Sequence, residues 1–285
     1  MLWYVAVHSG YIAGLDDSIY WGFHAFFWHS RAGSLAWSIA ELCSVVPYIL
    51  ISGTLVVLAL RGGRRDIAVA ILVIVIGSAV SAEALKPLLG IPRAGTEHAP
   101  VDLASFPSGT SAAAMALVLS AVLASPPARR PWVAAFGAGF ALAVVYSVLI
   151  LGWHYPSDTL GGLLVSSIWA LVAVAGIRIA EARRASSPAP AERAGPEPGR
   201  PERVGPEPSV TRAAVSTRTA RLRSLTPSTL AISLALALGV LIFALRPAGA
   251  LAYARDHTAF VVGAGSLGCL SLMLTTAVML TTLRR

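Results

Sequence analysis

The sequence predicts an all-α fold, a polytopic membrane bundle in which a five-helix body is followed by a two-helix C-terminal hairpin. Composition is the first reason. Of 285 residues, 56% are hydrophobic and only 13% charged, with a mean hydropathy of +0.71, whereas about a quarter of the residues of a soluble domain are charged. The second reason is the spacing of the apolar runs. Seven stretches are long enough to cross a bilayer as helices, and an arginine cluster follows every second one.

Residues 1–35 form the N-terminal element. Its first apolar stretch, residues 2 to 14, is too short for a hydrocarbon core of about 30 Å at about 1.5 Å per residue. No Lys or Arg precedes Arg31, and Asp16 with Asp17 closes the stretch, which argues against a secretory signal peptide. The aromatic run Tyr20, Trp21, Phe23, Phe26, Phe27 and Trp28 predicts a helix lying at headgroup level. The alternative is a longer first span, cut short by a misplaced start.

The body, residues 36–182, holds five spans, from about Trp37 to Leu60, Ile67 to Leu85, Ser108 to Ala124, Trp132 to Gly152 and Leu160 to Ala180. Arg61, Arg64 and Arg65 follow the first, Arg129 and Arg130 the third, and Arg178, Arg183 and Arg184 the fifth. If every segment spans, these clusters share one side. The positive-inside rule makes that side cytoplasmic, so the loops after the second and fourth spans face the extracytoplasmic side of a plasma (inner) membrane. Residues 183–226 are rich in Pro, Ala, Glu, Arg and Ser, and Gly195-Pro196-Glu197-Pro198 recurs as Gly205-Pro206-Glu207-Pro208. Such a composition buries no core and predicts a disordered linker. Residues 227–285 then form the hairpin, with spans from Thr229 to Leu245 and Ala259 to Leu283.

The formal charge is +8, yet the basic residues sit in patches between apolar runs rather than along one stripe. Topology explains them, and nucleic acid is not expected as a partner. Cys43 and Cys269 lie far apart inside apolar runs and read as small buried hydrophobes. Among the 22 Lys and Arg, the one lysine is Lys86. A chain that writes every other cation as Arg makes this exception at a membrane boundary.

Three motifs fall on the expected extracytoplasmic face. The second span ends in Glu83-Ala84-Leu85-Lys86-Pro87, and Arg93 follows in the loop. Two cations there suit a phosphate, because guanidinium grips its oxygens in pairs and ammonium adds a mobile point charge. The loop enters the third span through Phe106-Pro107-Ser108-Gly109-Thr110-Ser111. Serine caps a helix start, glycine lets backbone approach a ligand, and free N–H groups attract an anion. After the fourth span comes Gly152-Trp153-His154-Tyr155-Pro156-Ser157-Asp158. A carboxylate four residues beyond a histidine can orient one ring nitrogen and leave the other free to attack phosphorus.

Taken together, Lys86 and Arg93, then Pro107-Ser108-Gly109, then Ser147, His154 and Asp158 resemble the three-part signature of the type 2 phosphatidic acid phosphatases. The resemblance covers roughly Trp37 to Ala180. It implies a bundle that gathers the motifs at one membrane surface, with His154 forming a phosphohistidine and Asp158 orienting it. Lys86, Arg93, Ser108 and the amide of Gly109 would hold the phosphoryl oxygens, and no metal or cofactor is required. The implied substrate is a phospholipid or a polyprenyl phosphate.

Three positions depart from that signature: Ala94 replaces a Pro, Thr110 a His and Val148 an Arg. The family's second-motif His is its general acid, a role worth about 10²- to 10⁴-fold in rate, and threonine does not protonate an alkoxide. Loss of the Arg removes a further charge from the phosphoryl clamp, worth about 10²- to 10³-fold by analogy. Three answers are open. A lipid diphosphate has a leaving group that needs little protonation; His98, Glu97 or Asp102 in the motif loop supplies the acid; or the pocket binds or translocates phosphorylated lipid without turnover. Ser147 and Thr110 are auxiliary candidates in any of them.

Overall fold

The computed structural model describes residues 2–27, 32–90, 101, 104–186, 255 and 258–282. Among the described residues there is no strand, and the elements are helices: α1 (Leu2–His8), α2 (Gly10–Phe27), α3 (Ala32–Glu41), α4 (Val45–Arg61), α5 (Arg65–Leu89), α6 (Gly109–Ala124), α7 (Arg130–Ile150), α8 (Pro156–Ser186) and α9 (Thr258–Thr282). Three of them, α5, α7 and α8, are long and apolar enough to cross a membrane, and α3 with α4 makes a bent pair that passes the same test. The protein is an all-α membrane bundle, as its sequence predicts. The first hairpin span, from Thr229 to Leu245, the linker beyond Ser186, and the loop residues Arg93, Ala94, Glu97, His98 and Asp102 lie outside the described residues.

Helix α6 is the hub. It carries no charged residue and is buried on all sides, from Ser111 and Met115 through Leu119 to Leu123, the pattern of a core helix rather than an amphipathic one. Ile67, Ile71 and Ile74 of α5, Leu149 of α7 and Leu163 of α8 close around it. Its 16 residues cover only about 24 Å at about 1.5 Å per residue, less than its longer neighbours.

The stretch expected as one span from Trp37 to Leu60 is broken. Its two halves, α3 and α4, are bent by 48°. Cys43 and Ser44 donate to carbonyls only three residues back, and Ser44 then turns extended at ψ 165°. Pro47 follows in the first turn of α4, where its missing N–H costs nothing. Helix α8 in turn runs four residues into the expected linker, with Arg183 and Arg184 in its last turn, a favourable place for positive charge.

At the N-terminus, α2 packs on α7, α8 and α9. Tyr20 and Phe23 are buried within protein, while Trp21 of the same aromatic run is exposed. Ala13, Asp16, Tyr20 and Phe23 recur at three- and four-residue intervals and make one buried stripe.

One pole of the bundle is tied by arginine. Arg64, in the turn before α5, donates to the carbonyls of Ala124 at 2.7 Å and Leu123 at 3.0 Å, and Arg130 Nε donates to Ser125 O at 3.1 Å. The first two arginine clusters therefore meet at the C-terminal end of α6. Those carbonyls have no helical partners, and charged donors are worth about 1.5–3 kcal/mol. Arg64→Ala is expected to lower stability by about 2 kcal/mol, read as the shift of the denaturant midpoint in detergent with an unchanged slope.

Candidate active site

The site lies at the opposite pole, where α6 begins. Helix α7 stops at Gly152, whose φ of +71° is left-handed and open to glycine at no steric cost. Trp153 N donates to Val148 O at 3.0 Å and Gly152 N to Leu149 O at 3.1 Å, the paired bonds of a Schellman ending. This turn throws Trp153-His154-Tyr155 across to α8. Pro156 opens α8 with no N–H to satisfy, and Asp158 reaches back so that Oδ2 accepts Tyr155 N at 2.9 Å. That is half a capping box, and it fixes a carboxylate with no exposure at all.

His154 stands beside it. Nδ1 lies 3.7 Å from Asp158 Oδ2, beyond hydrogen-bond reach, and this buried nitrogen has no hydrogen-bond partner among the described residues. The side chain is 13% exposed. Sites of this kind often tighten only when the ligand is bound.

The second motif joins the third through backbone. Ser108 N donates to the main-chain oxygen of Asp158 at 2.9 Å, and Ser108 Oγ caps α6 by accepting Ser111 N at 3.3 Å. Ser108 is fully buried. Such an approach of α6 to α8 requires Gly161 and Gly162. A Cβ on Gly162 would stand 2.3 Å from Ser108 O, and one on Gly161 would stand 2.7 Å from the ring of Phe106.

The first motif arrives from α5. Lys86 Nζ lies 3.7 Å and Glu83 Oε1 3.3 Å from the Cβ position of Gly109, so both charges overhang the start of α6. They pair with each other at 2.7 Å. The lysine that the sequence offers to a phosphate is thus already partnered, and an anion shares its ammonium with Glu83. An exposed pair is worth about 0.2–1 kcal/mol, so Glu83→Gln is expected to tighten inorganic phosphate binding about two- to fivefold, measured by calorimetry.

Lys86 overhangs Gly109, Ser108 N bonds to Asp158 O and His154 stands beside Asp158, so successive contacts link all five around one helix start, where α6 supplies unbonded amides. Arg93 and His98 lie outside the described residues. The Ser147 hydroxyl donates to Ala143 O at 2.8 Å within α7. Thr110 is half-buried in the first turn of α6, and Val148 is fully buried hydrocarbon. Sequence reasoning missed the glycine pair, although adjacent glycines opening an apolar helix signal a close backbone approach. It also missed the pairing of Glu83 with Lys86, which their three-residue spacing on a helix permits.

Residues 67–180, which hold all five of these side chains and amides, match the model of the PAP2 superfamily. This segment is similar to that superfamily. No curated protein and no solved structure matches the chain significantly. Proteins of that superfamily are generally phosphatases acting on phosphorylated substrates. This PAP2-like core runs from α5 to α8, and α1 to α4 and α9 lie outside it.

Proposed function

We propose that the protein is a membrane-bound lipid phosphatase or phosphotransferase acting through a phosphohistidine. The observation that supports this reading is the series of contacts linking Lys86 to Gly109, Ser108 to Asp158 and Asp158 to His154 around the start of α6. His154 Nε2 forms a bond to phosphorus as the bond to the leaving oxygen breaks. Asp158 balances the positive charge of the ring, and Lys86 with the α6 amides holds the phosphoryl oxygens. Water or a lipid or sugar hydroxyl then takes the phosphoryl group from nitrogen, which restores the imidazole.

A lipid substrate is supported by an apolar groove between α5 and α8, lined by Val69, Leu72, Ile76, Val80 and Trp169. Val69, Ile76, Val80 and Glu83 continue one helical stripe, so the groove leads to the Glu83–Lys86 pair. A polyprenyl-type diphosphate fits best, because position 110 is threonine and a departing phosphate needs little protonation. The arginine-tied pole supports a cytoplasmic end there and an extracytoplasmic site.

The test is phosphate release from lipid monophosphates and diphosphates by the purified protein, with acid-quenched trapping of phosphohistidine. The expected result is turnover of diphosphates at least about tenfold above monophosphates, with label on His154. Equal turnover of both removes the diphosphate preference. A second reading, a catalytically impaired relative that binds or translocates phosphorylated lipid, is favoured by Thr110, Val148 and the partnered Lys86. Saturable lipid binding with no phosphate release and no trapped label would select it.

A further inference from the structure

The start of α8 is held from outside the PAP2 core. Its first amides lack helical partners. Pro156 has no N–H, and Asp158 N and Thr159 N fall back on Tyr155 O at 3.0 and 3.2 Å. Ser157 N instead donates to Asp16 Oδ1 at 3.0 Å, and the Ser157 hydroxyl donates to Asp16 Oδ2 at 2.5 Å, across 141 positions of sequence. Asp16 belongs to α2 and is 4% exposed. A carboxylate in a buried apolar stripe is costly unless it is bonded, and a cap drawn from the neighbouring loop would serve the helix as well.

Helix α2 touches the same loop a second time. One turn beyond Asp16, the ring of Tyr20 packs on Tyr155 with centroids 5.5 Å apart, and its hydroxyl lies 3.5 Å from Gly152 O. The His154 loop is therefore gripped at Gly152 and again at Tyr155 to Ser157, with the imidazole between. A small displacement there matters, because Nδ1 stands 3.7 Å from Asp158 Oδ2.

We propose that Asp16 is a positioning residue: acting through Ser157, it sets the reach of His154 toward Asp158 and the phosphate. This rests on the reaction proposed above. It assigns α2 a share in presenting the nucleophile, beside Asp158, which holds the same loop through Tyr155 N.

The experiment uses the full chain with a turned-over lipid phosphate. Asp16→Asn keeps the shape but leaves one acceptor oxygen for the two donors of Ser157, sets an NH₂ against the other and removes the charge. The expected result is a kcat lower by about 10- to 100-fold, the cost of a misplaced reacting group, with KM and phosphate affinity within about twofold. Ser157→Ala is expected to lose less, since its N–H remains, and the double variant to lose no more than Asp16→Asn alone. A kcat within about twofold of the unaltered protein overturns the proposal, as do fully additive losses. If Asp16→Asn does not fold, Ser157→Ala alone decides: a fall confined to kcat upholds the proposal and an unchanged kcat overturns it. Should no phosphorylated substrate turn over at all, the proposed reaction falls while hydrogen exchange still reads the contact. Faster exchange confined to residues 153–158 in Asp16→Asn upholds the positioning, and unchanged exchange there overturns it.

Discussion

His154→Ala is expected to abolish turnover, lowering kcat by about 10⁴- to 10⁶-fold, the scale on which loss of a nucleophile is felt. The argument is one of roles. Among the described residues around the start of α6, His154 is the one histidine, and it stands beside the buried carboxylate of Asp158. Ser108 is buried and its oxygen accepts Ser111 N, and Glu83 is paired with Lys86. Binding is expected to survive the change within about threefold, because imidazole is not among the groups that hold the oxygens. Steady-state phosphate release and phosphate binding by calorimetry, measured on the same sample, read the two effects separately. Residual turnover within about tenfold of the unaltered protein would move the nucleophile elsewhere.

Gly162→Ala is expected to be the most damaging single methyl in the core. The added carbon meets Ser108 O at 2.3 Å and Ala112 N at 2.9 Å. Both are backbone atoms, and they are the two ends of the first hydrogen bond of α6, 3.0 Å long. Relief requires α6 and α8 to part, which also pulls Ser108 N from Asp158 O. Overpacking of this kind costs about 3 kcal/mol, at the upper end of its usual range, and the separation should reduce kcat by at least about 100-fold. Gly161→Ala serves as the comparison. Its carbon meets the ring edge of Phe106 at 2.7 Å, a side chain that can turn aside, so a loss of about 1 kcal/mol with modest change in activity is expected. Denaturant unfolding in detergent, alongside initial rates, checks both variants.

Much of the bundle was legible because apolar length and punctuation are local signals. The spans read from about Ile67 to Leu85, Ser108 to Ala124, Trp132 to Gly152 and Leu160 to Ala180 appear as α5 to α8, within a few residues at most ends. The break between α3 and α4 was not legible. Cys43 and Leu42 are as apolar as their neighbours, and only the turn bonds at Ser44 reveal it. In the site, Lys86, Ser108, His154 and Asp158 could be named because motif order and spacing carry them. Partnerships are another matter. The bond of Asp16 to Ser157 joins residues 141 positions apart, and an aspartate closing an apolar stretch reads as a boundary rather than as a buried contact. Lys86 shows the same limit, since a free cation and a paired one have the same letter.

The clasp of Arg64 on α6 has a mechanical meaning. Ala124 and Leu123 are pinned, and Arg130 fastens the adjoining turn, so that pole behaves like the spring end of a clothes peg. The jaws are at the other pole. Whatever movement closes the gap between imidazole and carboxylate must be made there, against a fulcrum that does not yield, and a substrate gripped between the jaws would feel the stiffness of the whole bundle behind them.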